Sequence, residues 1–281
     1  MGIIIGGNTI SGNFNYSGES QNSPTVVTDG LVLWLDAGNN SSYTNTSNYY
    51  DCGYGCQYYS SNPGCTNCNT RWRDMSGYGN DGTIQNSTPI SYSDGSGGHF
   101  AFGASNYGIQ VTNSSSLINL KTSQGGSGLT VLIWAKSTGG TGAWRKLIGN
   151  WDGDNYIDLY QSPSGYWHQD GSGETLYVNG TAVTQDLSVM PGAGYNLYIA
   201  TNSNSGTLTN PSGALTIGNE PGSSNAYPWI GYISVVLVYN RVLSTTEMTQ
   251  NYNALKSRYE KYYNCGYGCT LYNYNPGCTP C

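Results

Sequence analysis

The sequence predicts an all-β fold, a two-sheet jelly-roll sandwich with one C-terminal helix and two small cysteine-stapled cassettes. Three observations predict it. Short runs rich in β-branched and aromatic residues recur between clusters of Gly, Asn, Ser and Asp; only one stretch carries a helical period; and all eight cysteines fall into two cassettes of identical spacing. The runs lie at residues 31–35, 129–135, 146–149, 156–160, 175–178, 195–199, 214–217 and 230–239. After the fifth run, Asn179 and Gly180 predict a hairpin, because Asn-Gly populates the positive φ values of a type I′ turn. Ser244 and Glu247 form a capping-box pair, and Met248, Tyr252, Leu255 and Tyr259 follow at helical spacing, so a helix is predicted over 245 to about 261.

Composition narrows the function classes. Of 281 residues, 40 are Gly and 26 are Tyr, and charged residues make up only 9%, against about 25% in ordinary globular proteins. With a net charge of −6 and basic residues scattered singly, there is no cationic stripe to neutralise phosphates, which argues against nucleic acid as a partner. No run approaches 18 apolar residues, so no membrane insertion is expected. Residues 1–7 lack the basic and apolar regions of a conventional signal peptide, whereas the Gly/Asn/Tyr/Thr-rich surface reads as extracellular. Release by lysis, as for a virion component, or a leader already removed reconciles the two, and the expected location is extracellular or virion-associated.

The cassettes are Cys52, Cys56, Cys65, Cys68 and Cys265, Cys269, Cys278, Cys281, both C-x3-C-x8-C-x2-C with Asn-Pro-Gly before the third cysteine. Two chemistries fit four sulfurs in so short a span: two disulfides in any of three pairings, or tetrahedral zinc on two knuckles. The extracellular character of the surface favours disulfides. Ahead of the sandwich, Ile3, Ile4, Ile5 and Ile10 make a β-prone stretch with no strong hairpin partner, and a lone strand is unstable in water. Folding back on its own domain or adding to the sheet edge of a neighbouring copy would satisfy it. The domain plan is an assembly arm at 1–28, a sandwich at 29–258 with a Cys-rich insertion at 49–70, and a C-terminal clip at 259–281.

Four segments, in order, resemble the LamG-like group of the concanavalin A-like lectin and glucanase superfamily. They are the opening run from Gly30 to Asp36; the turn of Trp72, Asp74, Ser76, Gly77, Gly79, Asn80, Gly82 and Thr83, similar to W-x-D-x-S-G-x-G-N-x-G-T; Asn179 and Gly180 with the strand before them; and Ile217, Gly218 and the closing strand through Ser244. The closing helix around Asn251, Tyr252 and Arg258 is similar to that of LamG-like proteins in tailed phages of aquatic bacteria. The resemblance covers about 29–258 and implies a jelly roll and a virion or appendage component. Where relatives carry an acidic pair in the last strand, this chain has Ser234 and Val235, so no role of that pair is carried over.

Glucanases of that superfamily share a strand of closely spaced carboxylates, but the five glutamates here, Glu19, Glu174, Glu220, Glu247 and Glu260, are scattered, and no enzyme is expected. Asp152, Asp154 and Asp158 are candidate calcium ligands, weighed against a polar turn in which Asp and Asn cap the backbone; no other cofactor is expected. Trp144, Trp151, Tyr156, Tyr160, Tyr166 and Trp167 cluster around turns and are candidate glycan-stacking residues, weighed against ordinary strand aromatics. The expected function is a self-assembling structural subunit of a virion appendage or extracellular fibre, a homopolymer joined through the arm. The alternative is a glycan-binding adhesion module.

Overall fold

The structure is a computed structural model and describes residues 3–5, 8–10, 25–45, 49–53, 56–84, 90–103, 108–111, 128–140, 142–150, 157–168, 174–184, 194–203, 215–219, 227–266, 268–272 and 276–280. Two large sheets face each other, and every described strand pairing is antiparallel. The larger runs Thr181–Val183, Glu174–Val178, Asn196–Asn202, Leu129–Ser137, Gly231–Tyr239, His99–Phe102, Ile90–Ser93. Its central strand Gly231–Tyr239 shares one edge between two partners, pairing with His99–Phe102 over 231–233 and with Leu31–Asp36 over 235–239. The smaller runs Trp167–His168, Ile157–Gln161, Arg145–Asn150, Leu215–Ile217, Ile109–Val111, Gly82–Ile84, Arg71–Trp72.

Alternation along the strands builds two cores. In Leu129–Ser137, Leu129, Val131, Ile133 and Ala135 face the smaller sheet with Trp72, Ile109, Leu147, Ile148, Trp167 and Ile217. Leu132 and Trp134 point the other way, into a second core with Val27, Tyr195, Leu197, Leu237 and Tyr239. The helix Thr245–Leu255 covers that second core through Met248 and Leu255. Its capping box forms as the sequence predicts, with the Ser244 hydroxyl and the Glu247 carboxylate satisfying each other's backbone N–H. The helix ends earlier than its periodicity predicts. One 3-10 turn, Lys256–Arg258, tightens the end, so that Arg258 pairs both carboxylate oxygens of the fully buried Asp36 while the Tyr259 ring stacks on Trp134 at 4.6 Å. Burial works against the Arg258 charge, but the bonds and charge of Asp36 outweigh it and raise its pKa.

The Asn179–Gly180 turn has φ of 50° and 81°, with Val178 facing Thr181, as a type I′ hairpin requires. In the turn after Trp72 the Asp74 carboxylate accepts from the Trp34, Ser76 and Asn80 amides and from the Ser76 hydroxyl. That saturated acceptor, rather than glycine content alone, fixes the loop.

Each cassette folds as a three-stranded clip. The first orders Cys56–Tyr58, Tyr49–Asp51, Thr66–Asn67, and the second Cys269–Tyr272, Lys261–Asn264, Thr279–Pro280. Disulfides close them: Cys52–Cys65 and Cys265–Cys278, each 13 residues apart with Cα atoms 5.0 Å apart. Cys269 is also disulfide-bonded. The zinc alternative therefore gives way to bridges at these positions. Cys281 and the side chains of Cys56 and Cys68 lie outside the described residues.

The arm differs from its expectation. Ile3–Ile5 is not a lone strand; it pairs with Asn8–Ile10, Ile3 opposite Ile10 and Ile4 opposite Thr9. In sequence only Gly6 and Gly7 separate the two strands, a two-residue connection of the type that closes hairpins.

Candidate functional site

At the end of the sandwich that carries the first clip lies a cleft of about 630 Å³, lined by Asn40, Thr44, Asn45, Tyr49, Tyr92, Ser93 and Asp94. Three segments build it. The loop after the opening strand is tied by its own polar groups: the Asn39 carbonyl accepts from the Ser42 and Tyr43 amides at 2.9 Å, and the Thr44 hydroxyl donates to the Asn40 carbonyl at 3.1 Å. The Ser42 hydroxyl also links the Asp36 amide (3.0 Å) to the Arg73 carbonyl (2.6 Å), locking loop to sandwich.

The second wall is the edge strand Ile90–Ser93. Ile90 faces the core, and two residues on Tyr92 leans the same way but reaches the surface at the sheet edge. Its ring packs 4.6 Å from Tyr43 and 5.6 Å from Phe100, and its hydroxyl donates to the Ala37 carbonyl at 3.1 Å. Burial, with the nearby charges of Asp94 and Asp36, raises the Tyr92 pKa, and burial with the neighbouring Tyr92 pushes Tyr43 up to about 12. Packed on Tyr43 and Phe100 and bonded to Ala37, the Tyr92 ring is a fixed platform rather than a swinging one. Asp94 precedes the short turn Gly95–Gly97 without capping it through its side chain, and it is exposed.

The third wall is the first clip, which contributes Tyr49. Its ring lies 5.8 Å from that of Tyr58, itself 63% exposed. Arg71 fixes the clip to the sandwich, 3.6 Å from Asp51 and 2.5 Å from Asp81, whose other oxygen accepts the Asp74 amide. The cleft offers ring faces, amides, hydroxyls and one carboxylate at a size within the usual range for ligand pockets, about 300–1,000 Å³.

Of the aromatic cluster expected from sequence, Trp167 and Tyr160 present no open ring face. Trp167 is 1% exposed and packs in the main core 4.2 Å from Tyr198, because its register opposite Gln161 turns it inward. Tyr160 is buried, with the Lys146 ammonium 5.4 Å from its ring. Trp144 does meet Tyr160, at 5.2 Å, and Tyr166 is half-buried on a loop held by Ser162. Trp151, Tyr156, Asp152 and Asp154 lie outside the described residues, as does the side chain of Asp158 in Ile157–Gln161. Sequence reasoning missed the cleft because its residues are singly ordinary and come from positions 40 to 94, with the whole clip between them. The available signal was Tyr92, Ser93 and Asp94 together at the end of one short run.

In sequence the chain matches no family model and no curated protein. Solved structures do resemble it. A mutant of Trypanosoma rangeli sialidase displaying trans-sialidase activity aligns at a TM-score of 0.49 and 14% identity over 83% of this chain and 34% of that one. The botulinum neurotoxin serotype G binding domain aligns at 0.43 and 13% over 68% of this chain and 53% of that one. The chain thus spans about a third of the sialidase and about half of the toxin domain. These are likenesses between β-sandwich chains, and they transfer neither activity nor ligand.

One expectation is corrected by them. The chain was expected not to be an enzyme because its glutamates are scattered, yet sialidases stand among the similar structures, one of them as a covalent intermediate. The missing carboxylate pair excludes one chemistry and not catalysis as such.

Proposed function

We propose that this is a LamG-like extracellular sandwich whose clip-walled cleft recognises a carbohydrate during attachment to a host or cell surface. The observation that carries the reading is the cleft itself, in which two tyrosine rings on disulfide-braced and sheet-edge supports stand beside Asn, Thr, Ser and Asp side chains. Sugars need that combination of an apolar ring face and convergent polar groups. The disulfides fit maturation outside a reducing cytosol, and among the described residues no helix is long and apolar enough to cross a membrane. A glycan array with calcium present, read with the wild type, Tyr49→Ala and Tyr262→Ala, tests it. Hits should disappear with Tyr49→Ala and persist with Tyr262→Ala, the corresponding position of the second clip; an array without hits sinks the reading.

A second reading, a self-assembling appendage subunit, rests on the arm. Ile3–Ile5 and Asn8–Ile10 form a sheet of their own that pairs with no other described strand. A two-stranded sheet is marginal alone, and pairing with another copy would complete it. Sedimentation velocity of the full chain should show polymers that vanish on deletion of residues 1–20; polymers that survive the deletion sink the arm's role.

A further inference from the structure

Resting on the carbohydrate reading, we infer that the cleft between the first clip and the Ile90–Ser93 edge selects uncharged saccharides and rejects sialylated or sulfated ones. Among the described residues that line it none is basic, and the one ionised group is the carboxylate of Asp94.

The arginines that brace this end are already engaged. Arg71 is held between Asp51 and Asp81, and Arg258 is clamped on Asp36. Recognition of a sugar carboxylate or sulfate draws on charge-assisted bonds from such groups. Here an anionic sugar would instead meet a carboxylate, on a chain that carries a net charge of −6.

Asp94 suits the opposite partner. Its side chain makes no cap on the turn it precedes and has no hydrogen-bond donor among the described residues, so both oxygens remain as acceptors. Two neighbouring sugar hydroxyls are donors at the right separation for the two oxygens of one carboxylate. The fixed Tyr92 ring and Tyr49 then supply the apolar face. Ser93 is already an acceptor for the Gly95 amide at 3.2 Å, which leaves its hydroxyl proton to donate to a ring or glycosidic oxygen.

The test is calorimetric titration of the full chain with neutral hexose and N-acetylhexosamine oligosaccharides and with the same backbones bearing sialic acid or sulfate. Wild type should bind a neutral form roughly tenfold or more tighter than its anionic counterpart, Asp94→Asn should lose roughly tenfold on the neutral form, and Asp94→Arg should narrow or reverse the preference. Asp94 is exposed, so these variants should fold, which circular dichroism checks. Equal affinity for both forms, or an anionic preference, overturns the selectivity; if that binding is still lost with Tyr49→Ala, the carbohydrate reading stands. Binding to neither form takes down both.

Discussion

The two clips are one device in two settings. Offsetting by 213 residues maps each described strand pair of the first clip onto a pair of the second: Tyr50 and Tyr263 are both 8% exposed, and their partner rings, Tyr59 and Tyr272, stand at 6.4 and 6.2 Å with the same 69° inclination. Asp51 accepts the Gly53 amide at 2.8 Å, and Asn264 accepts the Gly266 amide at 2.9 Å. The clip therefore needs only an oxygen acceptor at that place, and either residue supplies it. What Asp51 adds is charge, spent on Arg71. The first clip uses that ion pair and the strand Arg71–Trp72 to re-enter the smaller sheet, and so becomes a wall of the cleft. The second hangs from the helix, and no strand of either large sheet follows Tyr239 among the described residues. The lesson is that a covalent motif fixes a local shape, while neighbouring charges and sheet contacts decide whether that shape belongs to the framework.

The largest expected effect comes from cutting each clip's anchor. Trp72 is fully buried and packs 4.8 Å from Phe100, so Trp72→Ala should cost about 3–5 kcal/mol in urea unfolding. Tyr259→Ala, before the second clip, opens only the outer core and should cost less; equal costs would break the contrast. Next comes removal of the bridges. Replacing Cys52 and Cys65 by Ala should lower sandwich stability by up to about 3 kcal/mol, because the loop they close lies between sandwich segments. The same change at Cys265 and Cys278 should be felt as local opening, with the main thermal transition moved by less than about 1 kcal/mol. Hydrogen exchange separates the two outcomes.

The smallest effect is on the helix that carries the second clip. The Arg241 guanidinium, then the Ser244 backbone amide, hold Glu247 at about 2, below the ordinary 4.5. Its contribution is complete above about pH 4.5 and is lost as the pH falls from there through 2. Circular dichroism should show the helix weakening across that window, and Glu247→Gln should flatten the change.

Local rules made much of the sandwich readable. The eight β-rich runs are strands in the structure, the Asn179–Gly180 turn and the Ser244–Glu247 cap take the forms their residues dictate, and the cassettes are matching clips. Each of those signals sits within a few residues. The early end of the helix was not readable, because it answers to Asp36, 222 residues away from Arg258. Trp167 was misplaced for the same kind of reason: whether a strand aromatic points in or out depends on its register with Tyr160 and Gln161, which no local pattern reveals. The cleft is assembled by tertiary contacts alone, and its Tyr49 and Tyr92 are not among the aromatics that the sequence offered for stacking.

The Cys52–Cys65 bridge spans the exposed Tyr58. A protease that cuts the chain beside that tyrosine would leave the two fragments tied by sulfur. The molecule would run as one species until reduced and as two afterwards, so a nick at this exposed ring would leave the clip's two halves joined.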